Sequence, residues 1–472
     1  MFKQRNTLLL LFFGILFFCF IRFVLSFDGL YGQDAYEYLR YTESLQNYFT
    51  TGKSPGDYFW GVYYPLLGSF LAFFVGNSAL ALQLISFLSL LVSSVYLNKI
   101  IELVYKEKTN PIIIFLFFFL SPIVLIHSFL VMSDMLTCAF VLISIYCFLS
   151  YFEFSKHKSF LFGVAVGLLA LLTRYAVIVV LFPFCMAVLF KLIKNRHYKL
   201  VVFSIPIILA VSLPHVVVKS QNSLQFLSHS WLQNWNILNL FKSHFVTVDG
   251  ESYNNFINVI YIGFQFIHPV FLVFGIIAIL MFIRDQDFKT ITNQKLVFFS
   301  IVLYSLFLGG IPFQNKRFLI QSFPLIIVFI YPQLKKMVLL LRNQNVVFVI
   351  AFLIQISLTA YFGKQYYDRN CLEKTISTEM KPHQNKTLYV FDIDIAMQGR
   401  GLQFKYKNLF IEKYADFEND ALVLINEKQL NEQWKGKNPL INWENIQKKH
   451  VLIRLKTVEK NWSLYKISAV KQ

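Results

Sequence analysis

The chain has 472 residues, of which 56% are hydrophobic, and its mean hydropathy is +0.54. These values exclude an ordinary soluble protein and predict an integral membrane protein. The net charge of +18 comes mostly from short basic runs between apolar segments. That pattern fits the positive-inside rule better than a nucleic-acid-binding surface, so membrane lipids are expected as partners and nucleic acid is not.

The first predicted element is an apolar run over Thr7–Phe27 that follows a basic N-terminus. It is long enough to cross about 30 Å of hydrocarbon and lacks a small-residue cleavage site, so we expect an uncleaved anchor with a cytoplasmic N-terminus. An outside loop over residues 28–65 follows. It contains a predicted amphipathic helix over Asp34–Phe49, and a helix over Leu66–Val75 is expected to lie at the membrane interface.

Further apolar segments predict the other membrane spans. They lie at Ala79–Ile101, Ile112–Leu130, Met135–Phe152, Leu200–Val218, Val259–Ile283, Leu296–Ile311, Phe318–Tyr331 and Val346–Tyr361. The segment Phe160–Phe190 is too long for one upright span and is interrupted at Thr173 and Arg174, so it predicts a hairpin with Arg174 at its tip. Counting that hairpin as two gives about eleven spans and places the basic clusters on one side of the membrane.

The part after the last span, residues 363–472, is polar and mixed in charge. Short strand-like runs at Thr387–Ile393, Ala421–Ile425 and His450–Leu455 alternate with helix-compatible stretches and predict a small α/β domain. An odd number of spans puts this domain outside the cytoplasm, on the same side as the first loop. The predicted organisation is therefore a transmembrane module over 1–362 and an extracytoplasmic domain over 363–472.

The first outside loop carries a pair of carboxylates, Asp34 and Glu37, directly beyond the first span. Their spacing of three residues is that of a helix N-cap and its reciprocal capping-box partner, which would have a purely structural role. The alternative is a catalytic carboxylate held at the membrane surface. Spacing alone leaves the two open.

Further charged residues are predicted on the same side of the membrane, where topology does not require them. Asp134 begins the fourth span, and it or Ser133 could cap that helix. Arg174 is an ionisable residue within a membrane segment, which marks a functional site unless it forms a structural ion pair. Lys316 and Arg317 place positive charge in an outside turn, where the alternative is snorkelling to the interface.

Carboxylates and cations at the outer interface suit sugar transfer from a polyprenyl phosphate. The leaving group is already an anion, so the site needs cations to hold the phosphate and one carboxylate to deprotonate the acceptor hydroxyl. Arginine suits the phosphate because its fork of donors binds two oxygens at once. A single displacement of this kind inverts the anomeric centre. No metal-binding constellation is visible in the sequence, and no cofactor is expected.

The sequence resembles the GT-C superfamily of glycosyltransferases that depend on polyprenyl-phosphate sugars, nearest to bacterial relatives of protein O-mannosyltransferases and lipid A aminoarabinose transferases. The resemblance covers roughly residues 1–361 in organisation. The motifs that carry it are GQDAYEYL at 32–39, YPLL at 64–67, MSDML at 132–136, GVAVGLLALLTR at 163–174, and KRFL at 316–319 followed by Phe323-Pro324.

By this resemblance Asp34 takes the position of the catalytic base, and Asp134 that of a second acid near the acceptor. Arg174 and Arg317, with Lys316 beside it, fall where lipid phosphate is bound. Where many relatives carry adjacent Asp and Glu, this chain has Gln33 before Asp34, so either Glu37 or Asp134 is left as the second acid. The sugar, hexose or pentose, and the acceptor, a protein, lipid or glycan, stay open.

Two other functions also suit a basic, multi-spanning chain. A flippase or transporter of a lipid-linked sugar typically shows repeat symmetry and little mass outside the membrane; this chain shows no repeat, and both the first loop and the tail are large. An O-antigen ligase or polymerase is expected to have its large loop late in the chain. We therefore expect a multi-pass glycosyltransferase of the cell (inner) membrane with its active site on the periplasmic face.

Overall fold

The computed structural model describes residues 14–218, 230–247, 250–266, 271–285, 292–340, 343–459 and 461–470. The chain folds into two compact units. The first comprises Met1–Gly29, Tyr41–Lys242 and Phe256–Lys364, and the second comprises Leu30–Arg40, Ser243–Asn255 and Gln365–Gln472. The stretch around Asp34, which the sequence assigned to the transmembrane module, thus belongs to the same compact unit as the C-terminal part of the chain.

The first unit is built from helices. In chain order they are α1 Gly14–Val24, α3 Tyr63–Val75, α4 Ser78–Tyr105, α5 Pro111–Ile114 with its π-helical continuation Phe115–Phe119, α6 Pro122–Phe129, α7 Asp134–Phe154, α8 His157–Leu171, α9 Val177–Lys194, α10 Tyr198–Val218, α11 Ser230–Gln233, α12 Asn258–Gly263, α13 Phe271–Asp285, α14 Thr292–Gly310 and α15 Phe323–Leu340. Helix α2, Gly32–Thr51, and helix α16, Gln344–Met380, each contribute residues to both units.

The predicted multi-spanning helical fold is confirmed. Among the described residues, seven helices are long and apolar enough to cross a membrane, and an eighth span is formed if the pair α5 and α6, bent by 68°, counts as one. The shorter apolar helices α1, α8 and α13 would bring the total to the eleven predicted, with α3 as the interfacial helix. The start of the predicted first span lies outside the described residues, and the total of eleven stays a prediction.

Local sequence explains several boundaries. The side chain of Asn77 accepts a hydrogen bond from the Leu80 amide at 2.8 Å and so starts α4, as a helix cap does. Between α8 and α9 the chain breaks over residues 172–176, which include Arg174. There the Thr173 hydroxyl donates back to the Leu169 carbonyl at 2.7 Å, a bond that competes with continued helix.

The predicted spans Val259–Ile283 and Val346–Tyr361 also differ from the observed helices. The segment Val259–Ile283 is not one helix, since α12 ends at Gly263 and α13 begins at Phe271. Residues 264–266, which follow α12, form a turn. The last predicted span ends at Tyr361, but α16 continues to Met380. Apolar content falls after Tyr361, while good helix formers such as Lys, Gln, Arg and Leu continue the helix.

The second unit carries the sheets. A hairpin pairs β1, His244–Thr247, with β2, Gly250–Tyr253. The larger sheet contains β3 Thr387–Val390, β4 Lys405–Asn408, β5 Leu422–Asn426, β6 His450–Glu459 and β7 Trp462–Val470, in the order β4-β3-β5-β7-β6. The β3 strand is parallel to both β4 and β5, whereas β7 is antiparallel to β5 and β6.

Short helices α17 Asp394–Gly399, α18 Glu427–Gln433 and α19 Asn438–Lys449 complete this unit. Its hydrophobic core includes Tyr389, Val423, Ile425, Trp434, Trp443 and Ile467. These residues come from alternate strand positions and from α18 and α19, as expected when one face of a sheet is covered by helices. The predicted small C-terminal α/β domain is confirmed.

Candidate functional site

The first part of the candidate site is a buried ion pair between Asp134 and Arg174. Asp134 begins α7, and its side chain is only 1% exposed. Its carboxylate accepts a hydrogen bond from Nη1 of Arg174, which lies in the turn between α8 and α9. Ser133, at the N-cap position, makes no side-chain cap bond. The structure therefore gives the Asp134 carboxylate a charged partner from a turn 40 residues away in the chain.

The turn that carries Arg174 is held by the first loop. A Cβ atom added to Gly61 would lie 2.2 Å from the carbonyl oxygen of Leu172 and 2.6 Å from that of Thr173. Both distances are well inside van der Waals contact, and both neighbours are backbone atoms that cannot rotate away. Only glycine fits at position 61 without moving this turn.

If Arg174 binds a lipid-linked sugar donor, as the resemblance implies, Gly61→Ala should lower kcat/KM for that donor, because the turn bearing Arg174 must shift to admit the methyl group. A misplacement of 1 Å in a positioning element costs up to about 100-fold in rate. Gly263→Ala is the matched control, since a Cβ at that position meets nothing within 4 Å. If Gly61→Ala, correctly inserted, uses the donor as well as Gly263→Ala does, the first loop does not set the position of Arg174.

Arg317 and Lys316 lie in a 3-10 helix over Lys316–Gln321 that precedes α15. The side chain of Asn315 starts it by accepting from the Arg317 amide at 3.1 Å. Two buried tyrosines fix the same turn, since Tyr261 donates to the Asn315 carbonyl at 2.7 Å and Tyr304 donates to the Phe318 carbonyl at 2.9 Å. The backbone that presents the two cations is thus held at both ends.

The guanidinium groups of Arg174 and Arg317 share one aromatic ring. Their Cζ atoms lie 5.1 Å and 5.4 Å from the ring centroid of Phe318, within cation–π range. Nη1 of Arg317 also lies 3.5 Å from the sulfur of Met132, two residues before Asp134. The structure therefore brings Asp134, Arg174 and Arg317 together. Lys316 differs: its Nζ atom lies 5.8 Å from the ring centroids of both Phe264 and Phe362.

A second set of polar contacts holds the loop before α7. The amide of Gln321 donates to the Asp134 carbonyl at 3.0 Å, and the hydroxyl of Ser86 donates to the Met132 carbonyl at 3.1 Å. Tyr64, in the YPLL motif, lies 2.8 Å from the Ser86 hydroxyl. These hydrogen bonds satisfy buried backbone carbonyl groups in and beside a loop that has no regular structure. They also link the MSDML motif to the YPLL motif.

Asp34 and Glu37 lie in α2, in the second unit. Helix α2 begins at Gly32, so Asp34 lies within its first turn, where a carboxylate is favoured by the helix dipole. The capping-box alternative, which needs Asp34 to precede the helix, does not apply. Glu37 forms a two-point ion pair with Arg40, in which the Nε and Nη2 atoms of Arg40 lie 2.7 Å and 2.5 Å from the two carboxylate oxygens.

Glu373, in the C-terminal part of α16, was not identified from the sequence. Its side chain is 0% exposed, and its carboxylate accepts hydrogen bonds from the Gly32 amide at 3.2 Å and the Tyr36 hydroxyl at 2.8 Å. Both donors belong to the GQDAYEYL motif that contains Asp34. The one sequence signal was Arg369 four residues earlier, which pairs with Glu373 but reads as an ordinary helix-surface pair.

The charged groups around Phe318 are not a set of side chains that usually binds a metal ion. Across the described residues, no three or more His, Cys, Asp or Glu side chains are arranged to hold a metal ion. The groups that the structure brings together around this ring are two arginines and one carboxylate, a set suited to holding an anion by charge and hydrogen bonds.

Comparison with known proteins finds one matching family and a shared fold. Residues 62–217 match the family described as dolichyl-phosphate-mannose-protein mannosyltransferase, and this range includes Asp134 and Arg174. No curated protein sequence matches the chain. The fold is similar to that of ArnT from Cupriavidus metallidurans in two crystal structures, one bound to undecaprenyl phosphate and one in the apo state.

The first of these ArnT structures has a TM-score of 0.57 and 11% identity, and the second has a TM-score of 0.56 and 11% identity. Each alignment covers 96% of this chain and 97% of ArnT. The fold is therefore shared along nearly the whole length, although few residues are identical. The chain is a multi-pass membrane protein with the fold of ArnT, and its residues 62–217 match the mannosyltransferase family.

Proposed function

We propose that this protein is a glycosyltransferase, which transfers a monosaccharide from a polyprenyl-phosphate-linked donor to an acceptor hydroxyl, with inversion at the anomeric carbon. The observation that carries the proposal is the pair of guanidinium groups, from Arg174 and Arg317, beside the single ring of Phe318. Two like charges in a largely buried setting repel each other, and a bound phosphate relieves that repulsion. The undecaprenyl phosphate bound to ArnT, a protein of the same fold, supports this ligand class.

In this proposal Arg174, Arg317 and Lys316 bind the phosphate of the donor. Arginine forks supply two-point hydrogen bonds to phosphate oxygens, and lysine adds a point charge. As the bond between the anomeric carbon and the phosphate oxygen breaks, negative charge grows on the leaving phosphate. Cations fixed in advance stabilise that charge without reorganising during the reaction.

Asp34 is the proposed general base. It removes the proton of the acceptor hydroxyl as the acceptor oxygen attacks the anomeric carbon, and polyprenyl phosphate departs from the opposite face of the sugar. The other carboxylate of the motif, Glu37, is already held by both nitrogens of the Arg40 fork. The family resemblance, which places Asp34 in the position of the base, supports Asp34 over Glu37.

We assign Asp134 a positioning role in place of a second acid. Its carboxylate is buried and bound to Arg174, and such a pair is strongly coupled. Asp134 therefore orients the guanidinium and offsets part of its charge when no donor is bound. A guanidinium has more N–H donors than one carboxylate can occupy, so Arg174 can bind phosphate oxygens as well as Asp134.

The proposed function is tested with purified protein, acceptor membranes and a panel of polyprenyl-phosphate-linked hexoses and pentoses. We expect transfer from one or a few of these donors, which also identifies the sugar. A protein that transfers sugar from none of them, but moves the lipid-linked sugar across vesicles, is a flippase. Joining of whole lipid-linked glycans would instead indicate a ligase or polymerase.

We further propose that transfer takes place on the extracytoplasmic face of the cell (inner) membrane. With eleven spans and a cytoplasmic N-terminus, the first loop and the C-terminal domain are on the same outer side. Ser54, in the first loop, and Ser468, at the end of β7, are both exposed. In a background with Cys19 and Cys371 replaced by serine, Ser54→Cys and Ser468→Cys should both react with an impermeant thiol reagent applied from outside. Labelling from opposite sides contradicts the eleven-span topology.

A further inference from the structure

The start of α2 is docked against the C-terminal part of α16, within the second unit. The rings of Tyr31 and Tyr366 lie 4.6 Å apart, and the side-chain amide of Asn370 donates to the Leu30 carbonyl at 2.8 Å. One helical turn further along α16, Glu373 accepts from the Gly32 amide and the Tyr36 hydroxyl. These contacts form a continuous row along one face of α16.

Glu373 makes the most polar contacts in this row, and its carboxylate is buried. Arg369 donates to it from Nε at 2.7 Å, so the carboxylate has three donors from three residues. A buried carboxylate is costly unless it is paired and hydrogen-bonded, and here both conditions are met. A carboxylate held in this way is suited to fixing its neighbours and is not exposed to substrate.

The same network reaches the large sheet. Nη1 of Arg369 donates to the Asp392 carboxylate at 3.1 Å, and Nη2 lies 3.3 Å from the Asp392 carbonyl oxygen, just beyond the end of β3. The ring of Tyr36 also packs against the end of α17, since a Cβ at Gly399 would lie 2.6 Å from its Cδ1 atom. Cζ of Arg400 lies 5.5 Å from the centre of that ring.

Helical geometry links this network to Asp34. Gly32 has a φ of 62° and binds Glu373 through its backbone amide, so this bond anchors the start of α2, whereas Tyr36 binds Glu373 through its side chain. Asp34 is two residues before Tyr36, so its side chain projects about 200° around the helix axis from that of Tyr36, away from the face bound by Glu373. Holding Gly32 and Tyr36 therefore sets the direction of Asp34 without touching it.

We propose that Glu373 is a positioning residue for the general base: it clamps the first turn of α2 to the C-terminal domain and so fixes the orientation of Asp34. This inference rests on the proposed function of Asp34. It gives the C-terminal domain a part in catalysis, because Arg369, Asp392, Gly399 and Arg400 support the clamp. The domain then holds the catalytic helix in place.

The clamp is tested first by hydrogen exchange, which does not depend on activity. In full-length protein in detergent or nanodiscs, Glu373→Gln should raise amide exchange across residues 30–38, where the Gly32 amide loses its charged acceptor. The matched control is Glu379→Gln, which removes a carboxylate from the same helix. Among the described residues, Glu379 pairs with Lys456 and not with the start of α2. The control should leave exchange of residues 30–38 as in the wild type.

The catalytic consequence is tested by kinetics with the donor found in the panel. Glu373→Gln should lower kcat by tenfold or more, in line with the cost of about 100-fold for a misplaced catalytic group, while the KM for the donor stays as in the wild type. Tyr36→Phe removes only one hydroxyl donor and keeps the ring, so it is a second variant in case Glu373→Gln does not fold. It should show a smaller change in the same direction.

Two results would overturn the proposed role of Glu373. Unchanged exchange across residues 30–38 in both Glu373→Gln and Tyr36→Phe overturns the clamp. Raised exchange with unchanged kcat overturns its role in positioning the base. If the wild type transfers no sugar at all, the proposed function fails and with it the positioning of a base. The exchange measurement then still decides whether Glu373 fixes this segment.

Discussion

Asp34→Asn is expected to reduce sugar transfer by about 100-fold to 10,000-fold, the usual contribution of a general base. The amide has nearly the shape of the carboxylate but cannot take the proton of the acceptor hydroxyl. Binding of the lipid-linked donor and insertion into the membrane should be unaffected. The measurement is kcat with saturating donor, together with donor binding by the purified variant.

The control for this experiment is Asp57→Asn, the same substitution at an exposed position of the first loop. It should transfer sugar as the wild type does. A further variant, Asp34→Glu, keeps the basic group but moves it by one methylene, and partial activity there would match the behaviour of a base. Wild-type turnover in Asp34→Asn would remove Asp34 from the mechanism.

The second large effect is expected at the ion pair between Asp134 and Arg174. Arg174→Ala leaves a carboxylate that is 1% exposed without its partner, which should lower the free energy of unfolding by about 3–5 kcal/mol. Adding Asp134→Ala removes the stranded charge and should recover most of that loss. Transfer from the donor should be strongly reduced in the single variant and in the double variant, because the phosphate has lost one of its two arginine forks.

The double variant shows whether the ion pair serves only stability or whether Arg174 also binds the donor. If the pair serves only stability, the double variant regains activity along with its Tm. If Arg174 also binds the donor phosphate, as we propose, Tm is recovered and donor use is still lost. Arg174→Lys, which keeps the charge but not the fork, should retain the fold and use the donor poorly. Thermal unfolding followed on the same samples as the transfer assay provides both readouts.

Individual site residues were visible in the sequence because charge is conspicuous in an apolar chain. Arg174 interrupts a run of Gly, Ala, Val and Leu, and Asp134 starts an apolar helix. Their pairing was not predictable, since it depends on how α7 packs against the turn between α8 and α9, and no local pattern encodes that packing. The role of Gly61 was hidden for the same reason: its need for glycine comes from the carbonyl oxygens of Leu172 and Thr173.

The fold, too, was predictable from the sequence only in part. Long apolar runs predicted the main spanning helices, because about 20 apolar residues are needed to cross the hydrocarbon. The same signal misplaced the end of α16, which continues to Met380 after the apolar run stops at Tyr361. Glu373 lies in that continuation, and its bonds to Gly32 and Tyr36 join positions more than 330 residues apart in the chain. Such contacts follow from tertiary structure alone.

The most direct test of the proposed mechanism is the anomeric configuration of the transferred sugar, read by NMR on the product formed from the donor that the panel identifies. A single displacement assisted by Asp34 predicts the configuration opposite to that of the donor, with one polyprenyl phosphate released for each sugar transferred. A product that retains the donor configuration would contradict a single displacement, and release of polyprenyl phosphate without sugar transfer to the acceptor would contradict the proposed transferase activity.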